Sequence, residues 1–121
     1  MSKISIFHNP RCSKSRQALS ILREEGHEPD IILYLEQTPD TAAIASVLSK
    51  LGLSAADILR RGEAEYKAHF RDITDEDELI SLMVRFPKVI ERPIVISGDR
   101  AVIGRPPEAV RKLLQQEGNM L

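Results

Sequence analysis

The chain has 121 residues, of which 42% are hydrophobic and 29% charged, with a net charge of -1 and a pI of about 6.3. This length suits one domain with a buried core. Aromatic residues make up 4% of the chain and tryptophan is absent, so with the balanced charge we expect neither a nucleic-acid nor a membrane partner. The N-terminus lacks the apolar core of a signal peptide, and no window approaches the about 20 apolar residues of a membrane span, which indicates a cytoplasmic protein.

The first part of the chain predicts a strand, a helix and a second strand. Alternating apolar residues predict a strand over Lys3–Phe7, and an apolar stripe at helical spacing predicts a helix over Ser13–Glu25 that Gly26 ends. The nearly continuous apolar run Asp30–Leu35 is typical of a strand covered on both faces. A βαβ unit of this kind should have parallel strands.

Helices are predicted next. Apolar residues at helical spacing over 44–51 predict a helix that ends at Gly52. The stretch Ser54–Asp57 resembles a capping box that opens a short helix with Arg60 near its end. Thr74 with Asp77 is a second capping signal, for a helix that Pro87 stops. Residues 63–78 are acidic and polar, which suits either a solvated surface or a partner-binding face.

The last part predicts two strands and a helix. Pro93–Ser97 and Ala101–Gly104 flank the hairpin turn Gly98-Asp99. Pro106 and Pro107 suit the first turn of a final helix. The order β-α-β, helices, β-β-α indicates an α/β, thioredoxin-like fold around one mixed sheet, in a single domain 1–121 with a helical insertion at about 38–90.

The chain's one cysteine, Cys12, lies where the first strand ends and the first helix begins. A helix start favours a thiolate through its unpaired N–H groups and its dipole. Arg11, Lys14 and Arg16 add positive charge, and His8 could add more or accept a proton. Cysteine in such surroundings commonly has a lowered pKa and acts as a nucleophile. The alternative is a small, buried, inert side chain.

Ser15 stands where a redox dithiol motif would have its second cysteine. An adduct on Cys12 must therefore be cleared by an outside thiol such as glutathione or a glutaredoxin. The segment Asn9–Ser15 also places backbone N–H groups at a helix start, which is a setting that binds anions. Three distant arginines are candidates for completing such a site, although each could equally be a solvated surface charge: Arg60, Arg92 and Arg105.

Five segments together resemble the glutaredoxin-dependent arsenate reductase family. They are "HNPRCSKSR" (residues 8–16), "ILYLE" (32–36), "ILRRGE" (58–63), "ERPIVI" (91–96) and "IGRPPE" (103–108). The family's fold is thioredoxin-like with a helical insertion. The resemblance implies that arsenate binds beside Cys12, that the thiolate attacks arsenic, and that glutathione and glutaredoxin complete the reduction to arsenite.

The resemblance also implies roles for individual residues. Catalytic or thiolate-supporting positions match Cys12, His8, Ser15 and Arg16, and the arginines that hold arsenate match Arg60, Arg92 and Arg105. Asn9, Arg11 and Ser13 are further substrate-binding candidates, because they lie in the anion-binding segment around Cys12. Pro93 matches the cis-proline that thioredoxin-like proteins place beside the active cysteine. No bound cofactor is expected, because glutathione is a co-substrate.

This sequence departs from well-known reductases at Arg11, Ser13 and Lys14, where they have small or neutral residues, and it ends at Leu121 without their C-terminal extension. A different oxyanion or thiol substrate therefore stays open. So does a non-enzymatic regulatory protein glutathionylated at Cys12, although the RNA-polymerase-binding branch of the superfamily usually has a CxxC motif. His27 and His69 are expected at the surface, and no cluster has metal-ligand spacing.

Overall fold

A computed structural model describes residues 3–118 of the chain. The helices are α1 (Ser13–Glu24), α2 (Thr41–Leu51), α3 (Ala64–His69), α4 (Glu76–Arg85) and α5 (Ala109–Gly118), and the strands are β1 (Ile4–Phe7), β2 (Asp30–Ile32), β3 (Ile94–Ser97) and β4 (Arg100–Ile103). The chain divides into two compact units. The first contains the described residues up to Leu33 and from Arg92 onward, and the second is Tyr34–Glu91.

The first unit contains one four-stranded mixed sheet, in the order β2-β1-β3-β4. Strand β1 is parallel to β2 and antiparallel to β3, and β3 and β4 form an antiparallel hairpin. This is the thioredoxin-like plan that the sequence predicted. The hairpin turns at Gly98-Asp99, where Gly98 has a φ of 59°, a backbone conformation that glycine adopts without steric cost.

Helices α1 and α5 pack against one face of this sheet. The core there is aliphatic and combines residues of β1, β3, α1 and α5: Ile4, Ile6, Ala18, Leu19, Ile21, Leu22, Val95, Val110 and Leu113. Ile6 and Val95 are register partners on β1 and β3, so both project toward the same face. This packing fixes the carboxyl end of β1 and the start of α1, where Cys12 lies.

The second unit is helical. Its fully or nearly fully buried side chains come from α2, α4 and the segments around them: Ile44, Val47, Leu48, Ile58, Phe70, Leu79, Met83 and Val89. Gly52 ends α2 with a φ of 70°, as the sequence predicted. A bridge between Leu59 and Ile90 joins two extended segments of this unit.

Strand β2 differs from its prediction. It contains only Asp30–Ile32, and Ile31 is 38% exposed. The prediction of a longer strand covered on both faces was wrong, because β2 is an edge strand that pairs with β1 alone. The apolar run continues into Tyr34, which is fully buried in the second unit.

The predicted boundaries of three helices also need correction. The capping box at Ser54 with Asp57 is present, but it opens a 3₁₀ helix over Ala55–Ile58 that ends before Arg60. Asp75 caps α4, not Thr74, because its carboxylate accepts a hydrogen bond from the N–H of Glu78.

Helix α5 begins at Ala109, after a turn at residues 106–108 that contains both prolines. Helix α3 was not predicted, because only Tyr66 among its six residues is buried and it therefore shows no apolar stripe. No helix within residues 3–118 has the length and apolar character needed to cross a lipid bilayer.

Candidate functional site

Cys12 is the N-cap residue of α1, at the end of a short loop that follows β1. The loop is held by hydrogen bonds around Asn9. The Asn9 carbonyl accepts from the N–H of Cys12 at 2.9 Å, and its side-chain oxygen accepts from the N–H of Arg11 at 3.0 Å. The loop therefore folds back on itself and places a half-exposed thiol at the start of the helix.

The pKa of the Cys12 thiol is set by opposing effects. Partial burial raises the pKa, but the backbone N–H of Ser15, the Arg92 guanidinium and the N–H of Lys14 stabilise the thiolate, and the net result is a lowered pKa. The Cys12 side chain makes no N-cap hydrogen bond. The N–H groups of Ser15 and Lys14 therefore stabilise the thiolate through their dipoles. A thiolate is the reactive form of cysteine.

Two arginines that are distant from Cys12 in the sequence lie beside its sulfur. Arg92 lies two residues before β3, and its guanidinium hydrogen-bonds to the Cys12 sulfur and stabilises the negative charge of the thiolate. Nη2 of Arg105 lies 3.5 Å from the sulfur, and Nε of Arg105 donates to the Arg92 carbonyl at 2.6 Å. Two cations therefore converge on the thiol, as the sequence suggested for these positions.

The two arginines are aligned by a close backbone contact. The N–H of Gly104 donates to the Pro93 carbonyl at 2.8 Å, which ties the residue before Arg105 to the residue after Arg92. A Cβ on Gly104 would lie only 2.8 Å from Cγ of Pro93. The Arg92-Pro93 peptide bond is cis, as the family resemblance implied, and the Arg105-Pro106 bond is also cis. Sequence reasoning missed Gly104, although a glycine next to an Arg-Pro pair is a signal of close packing.

His8 and Ser15 form a buried pair beneath the loop. Nδ1 of His8 and the Ser15 hydroxyl are 2.6 Å apart and share a hydrogen bond, and the hydroxyl accepts a second from the N–H of Asn9. Burial lowers the pKa of His8, and the nearby Arg23 and Arg16 lower it further. His8 is therefore neutral at neutral pH. The pair connects the end of β1 to the first turn of α1 without adding a charge.

The remaining loop residues predicted for the site are exposed. Arg16 lies one turn after Cys12 and its Nη1 donates to the Pro10 carbonyl at 2.8 Å, which braces the loop. The side chains of Arg11 and Ser13 are at the surface on either side of Cys12. Their role in substrate binding stays a prediction.

Arg60 belongs to the second unit. Its guanidinium is paired with Glu91 at 2.9 Å and with Glu63 at 3.4 Å, and its side chain is 24% exposed. Its backbone N–H donates to the Val89 carbonyl at 2.7 Å. The structure thus gives Arg60 a local structural role that the sequence did not reveal, while its predicted role in substrate binding stays a prediction.

The arrangement in the first unit suits one kind of chemistry. A thiolate, two guanidinium groups and helix N–H groups together attract an oxyanion and supply a nucleophile to attack it.

His69, which was expected at the surface, is exposed and stacks on Phe86 with ring centroids 4.3 Å apart. Among residues 3–118, no group of three or more His, Cys, Asp or Glu side chains could hold a metal ion.

Known proteins resemble this chain over most of its length. The uncharacterised protein YfgD of Escherichia coli strain K12 is 45% identical over 115 residues, which are 93% of this chain and 97% of that protein. The arsenate reductase of Neisseria meningitidis serogroup A is 41% identical over 117 residues, 94% of this chain and 100% of the relative. The structure of the arsenate reductase from Vibrio cholerae superposes with a TM-score of 0.87 at 38% identity, covering 92% of this chain and 97% of that one.

These likenesses agree with the geometry of a thioredoxin-like protein with a cysteine at the start of α1. The model of the ArsC family matches residues 7–113, which include every residue predicted for the site. The chain belongs to the ArsC family.

Proposed function

We propose that this protein is an oxidoreductase that reduces arsenate to arsenite through Cys12, with glutathione and glutaredoxin as the reductants. Relatives named arsenate reductase, from Neisseria meningitidis and Vibrio cholerae, support the reaction. The observation that carries the proposal is the position of the Cys12 sulfur, which has a lowered pKa and lies against the guanidinium groups of Arg92 and Arg105.

The proposed reaction begins with the thiolate. Arsenate is held by Arg92 and Arg105, and the Cys12 sulfur forms a bond to As(V) while one arsenate oxygen leaves as water after protonation. Asn9 and Ser13, with the backbone N–H groups at the start of α1, are the proposed contacts for the other oxygens. Arg11 and Arg60 are further substrate-binding candidates.

A second thiol completes the reduction. The glutathione sulfur joins the Cys12 sulfur in a disulfide, the two thiols lose two electrons, and arsenic gains them and leaves as As(III) in arsenite. Ser15 cannot resolve this disulfide because it has no sulfur, so a glutaredoxin thiol must reduce it and restore Cys12. In this scheme His8, Ser15 and Arg16 act as positioning residues, since they hold the loop around the thiolate.

Steady-state arsenite formation with glutathione and glutaredoxin tests the proposal. Wild-type protein should turn over many times per cysteine, and Cys12→Ser should lose all turnover while keeping the wild-type circular dichroism spectrum. Full turnover by Cys12→Ser would show that another group is the nucleophile. One glutathione adduct per chain with no further arsenite would instead indicate the regulatory, non-enzymatic alternative.

A further inference from the structure

Positive charge is concentrated in the first part of the chain. All 18 acidic residues lie at or after Glu24, so the lysines and arginines that precede it have no acidic neighbour in the sequence. Lys3 and Arg23, near the two ends of this stretch, form ion pairs with acidic residues that follow it. Three cations between them flank the reactive cysteine in the sequence: Arg11, Lys14 and Arg16.

The start of α1 is an unfavourable place for these cations. The positive end of the helix dipole repels positive charge, so acidic residues are preferred in the first turn of a helix. Helix α4 follows this preference with three acidic residues, whereas the first turn of α1 has none and contains Lys14. Natural proteins break such local preferences at functional sites. The positive charge beside Cys12 therefore needs an explanation other than the stability of α1.

The cations around the cysteine differ in what they contact. Arg16 braces the loop through its hydrogen bond to a backbone carbonyl. The side chains of Arg11 and Lys14 are exposed, and neither forms a hydrogen bond or an ion pair in the part of the chain that the structure describes. The pKa of Cys12 is lowered by Arg92 and by backbone N–H groups, so these two exposed cations are not needed to form the thiolate.

Arg11 and Lys14 are close enough to the cysteine to act on a charged molecule that approaches it. Arg11 is adjacent to Cys12 and Lys14 lies two residues after it, so both Cα atoms are within about 8 Å of the Cα atom of Cys12. This distance is about one Debye length at physiological ionic strength, so the two charges attract an anion near the sulfur and salt screens the attraction. Charge of one sign around a site raises the local concentration of counter-ions and their association rate.

We propose that Arg11 and Lys14 steer anionic substrates to the Cys12 thiolate. The role needs no contact with the bound anion and depends on charge alone, so Lys and Arg are interchangeable at both positions. Arg92 and Arg105, which lie beside the sulfur, hold the anion once it has arrived. The inference rests on the proposed function for its substrate, arsenate, but the attraction extends to any small anion that reacts with the thiolate.

Alkylation of Cys12 by iodoacetate and by iodoacetamide tests the proposal without arsenate. Both reagents alkylate the thiolate and release iodide, but iodoacetate is an anion and iodoacetamide is neutral. The ratio of the two rates is therefore independent of the thiolate fraction and measures the attraction for anions. In about 0.01 M salt, Arg11→Gln combined with Lys14→Gln should lower this ratio about threefold to fivefold, and about 1 M salt should abolish the difference from wild type.

Two further variants separate local charge from net charge and from direct contact. Lys67→Gln combined with Arg71→Gln removes two positive charges from exposed positions of the second unit and should leave the ratio unchanged. Arg11→Lys combined with Lys14→Arg keeps both charges and should show the wild-type ratio. An unchanged ratio when Arg11 and Lys14 are both neutral, or an equal fall in the second-unit control, would overturn the proposal. A fall that persists in about 1 M salt would overturn it in favour of direct contact, which salt screens far less.

Turnover separates this inference from the proposed function. In about 0.01 M salt, Arg11→Gln combined with Lys14→Gln should raise the KM for arsenate about tenfold, because arsenate carries more negative charge than iodoacetate. The KM should approach that of wild type in about 1 M salt. A lowered alkylation ratio without arsenite formation by the wild-type protein would contradict only the proposed function. Arsenite formation with an unchanged alkylation ratio would contradict only this inference.

Discussion

At the scale of single residues, the reactivity of Cys12 depends on the opposing effects of burial and of nearby positive charge on the pKa of its thiol. Burial alone would raise the pKa of the thiol, and Arg92 together with the N–H groups of Ser15 and Lys14 reverses that effect. Arg105 contacts the same sulfur, although it lies 93 positions after Cys12 in the sequence. These two arginines both stabilise the thiolate and offer donors to an incoming oxyanion.

Replacement of either arginine should weaken anion binding. We expect Arg92→Gln and Arg105→Gln each to raise the KM for arsenate about tenfold, because each removes a charge-assisted hydrogen bond. Arg92→Gln should in addition raise the pKa of Cys12. Steady-state kinetics measure the first effect, with Arg71→Gln as the charge-matched control, since Arg71 is exposed in the second unit. Arsenate kinetics unchanged in both variants would show that these arginines do not hold the substrate.

His8 should make stability depend on pH. Its folded-state pKa lies below the ordinary value of 6.5, so the unfolded chain takes up a proton first as the pH falls. The stability that the neutral imidazole contributes is therefore complete above pH 6.5 and is lost as the pH falls toward the folded-state pKa. Urea unfolding at about pH 7.5 and about pH 5 should show a smaller loss of stability in His8→Gln than in wild type. An equal loss in the two proteins would contradict a neutral, buried His8.

At the scale of elements, the contact between Gly104 and Pro93 aligns the two strands that carry the arginines. Strands β3 and β4 are register partners from Ile94 with Ile103 to Ser97 with Arg100. The hydrogen bond from the N–H of Gly104 to the Pro93 carbonyl continues this pairing one residue beyond Ile94 and Ile103. Arg92 and Arg105 are the next residues on the two segments. A side chain at position 104 would push the backbone segments that carry Arg92 and Arg105 apart.

Gly104→Ala should therefore destabilise the protein by about 1–3 kcal/mol, because the new Cβ meets a rigid proline ring. It should also raise the KM for arsenate by displacing Arg105. Gly62→Ala is the control, since a Cβ there meets no atom within 4 Å and its effect should stay within about 1 kcal/mol. Urea denaturation measures both. Equal stabilities of the two variants would mean that the close contact imposes no constraint.

The sequence predicted elements best where a strong local signal marks them. The apolar stripe of α1, the glycine that ends α2 and the hairpin at Gly98-Asp99 were confirmed. Predictions failed where two local signals compete, or where the pairing of strands determines the length of an element. Thr74 and Asp75 are adjacent cap-type residues, and only the folded backbone selects Asp75.

The candidate site was predictable only in part. Cys12 and its loop are contiguous in sequence, so their chemistry could be predicted from residue types alone. The position of Arg105 beside Cys12 depends on the order of strands in the sheet, which the sequence does not encode locally. The pairing of Arg60 with Glu91 likewise depends on the bridge between Leu59 and Ile90, which joins two extended segments of the second unit.

At the scale of the whole molecule, the net charge of -1 gives no general attraction for anions. The fold instead gathers positive charge locally: Arg92 and Arg105 come from the ends of β3 and β4, and Arg11, Lys14 and Arg16 surround the cysteine in sequence. The lowered pKa of Cys12 is therefore a property of the folded chain and should disappear on unfolding.

The pH dependence of Cys12 alkylation by iodoacetamide, compared between folded and urea-unfolded protein, measures this property directly. The chain has one cysteine, so every alkylated thiol reports on this site. The folded protein should react as a thiolate at a pH where the unfolded chain is still a thiol, and its titration midpoint should lie below that of the unfolded chain. Coincident midpoints, or a folded thiol that titrates later, would contradict an ionised nucleophile at Cys12.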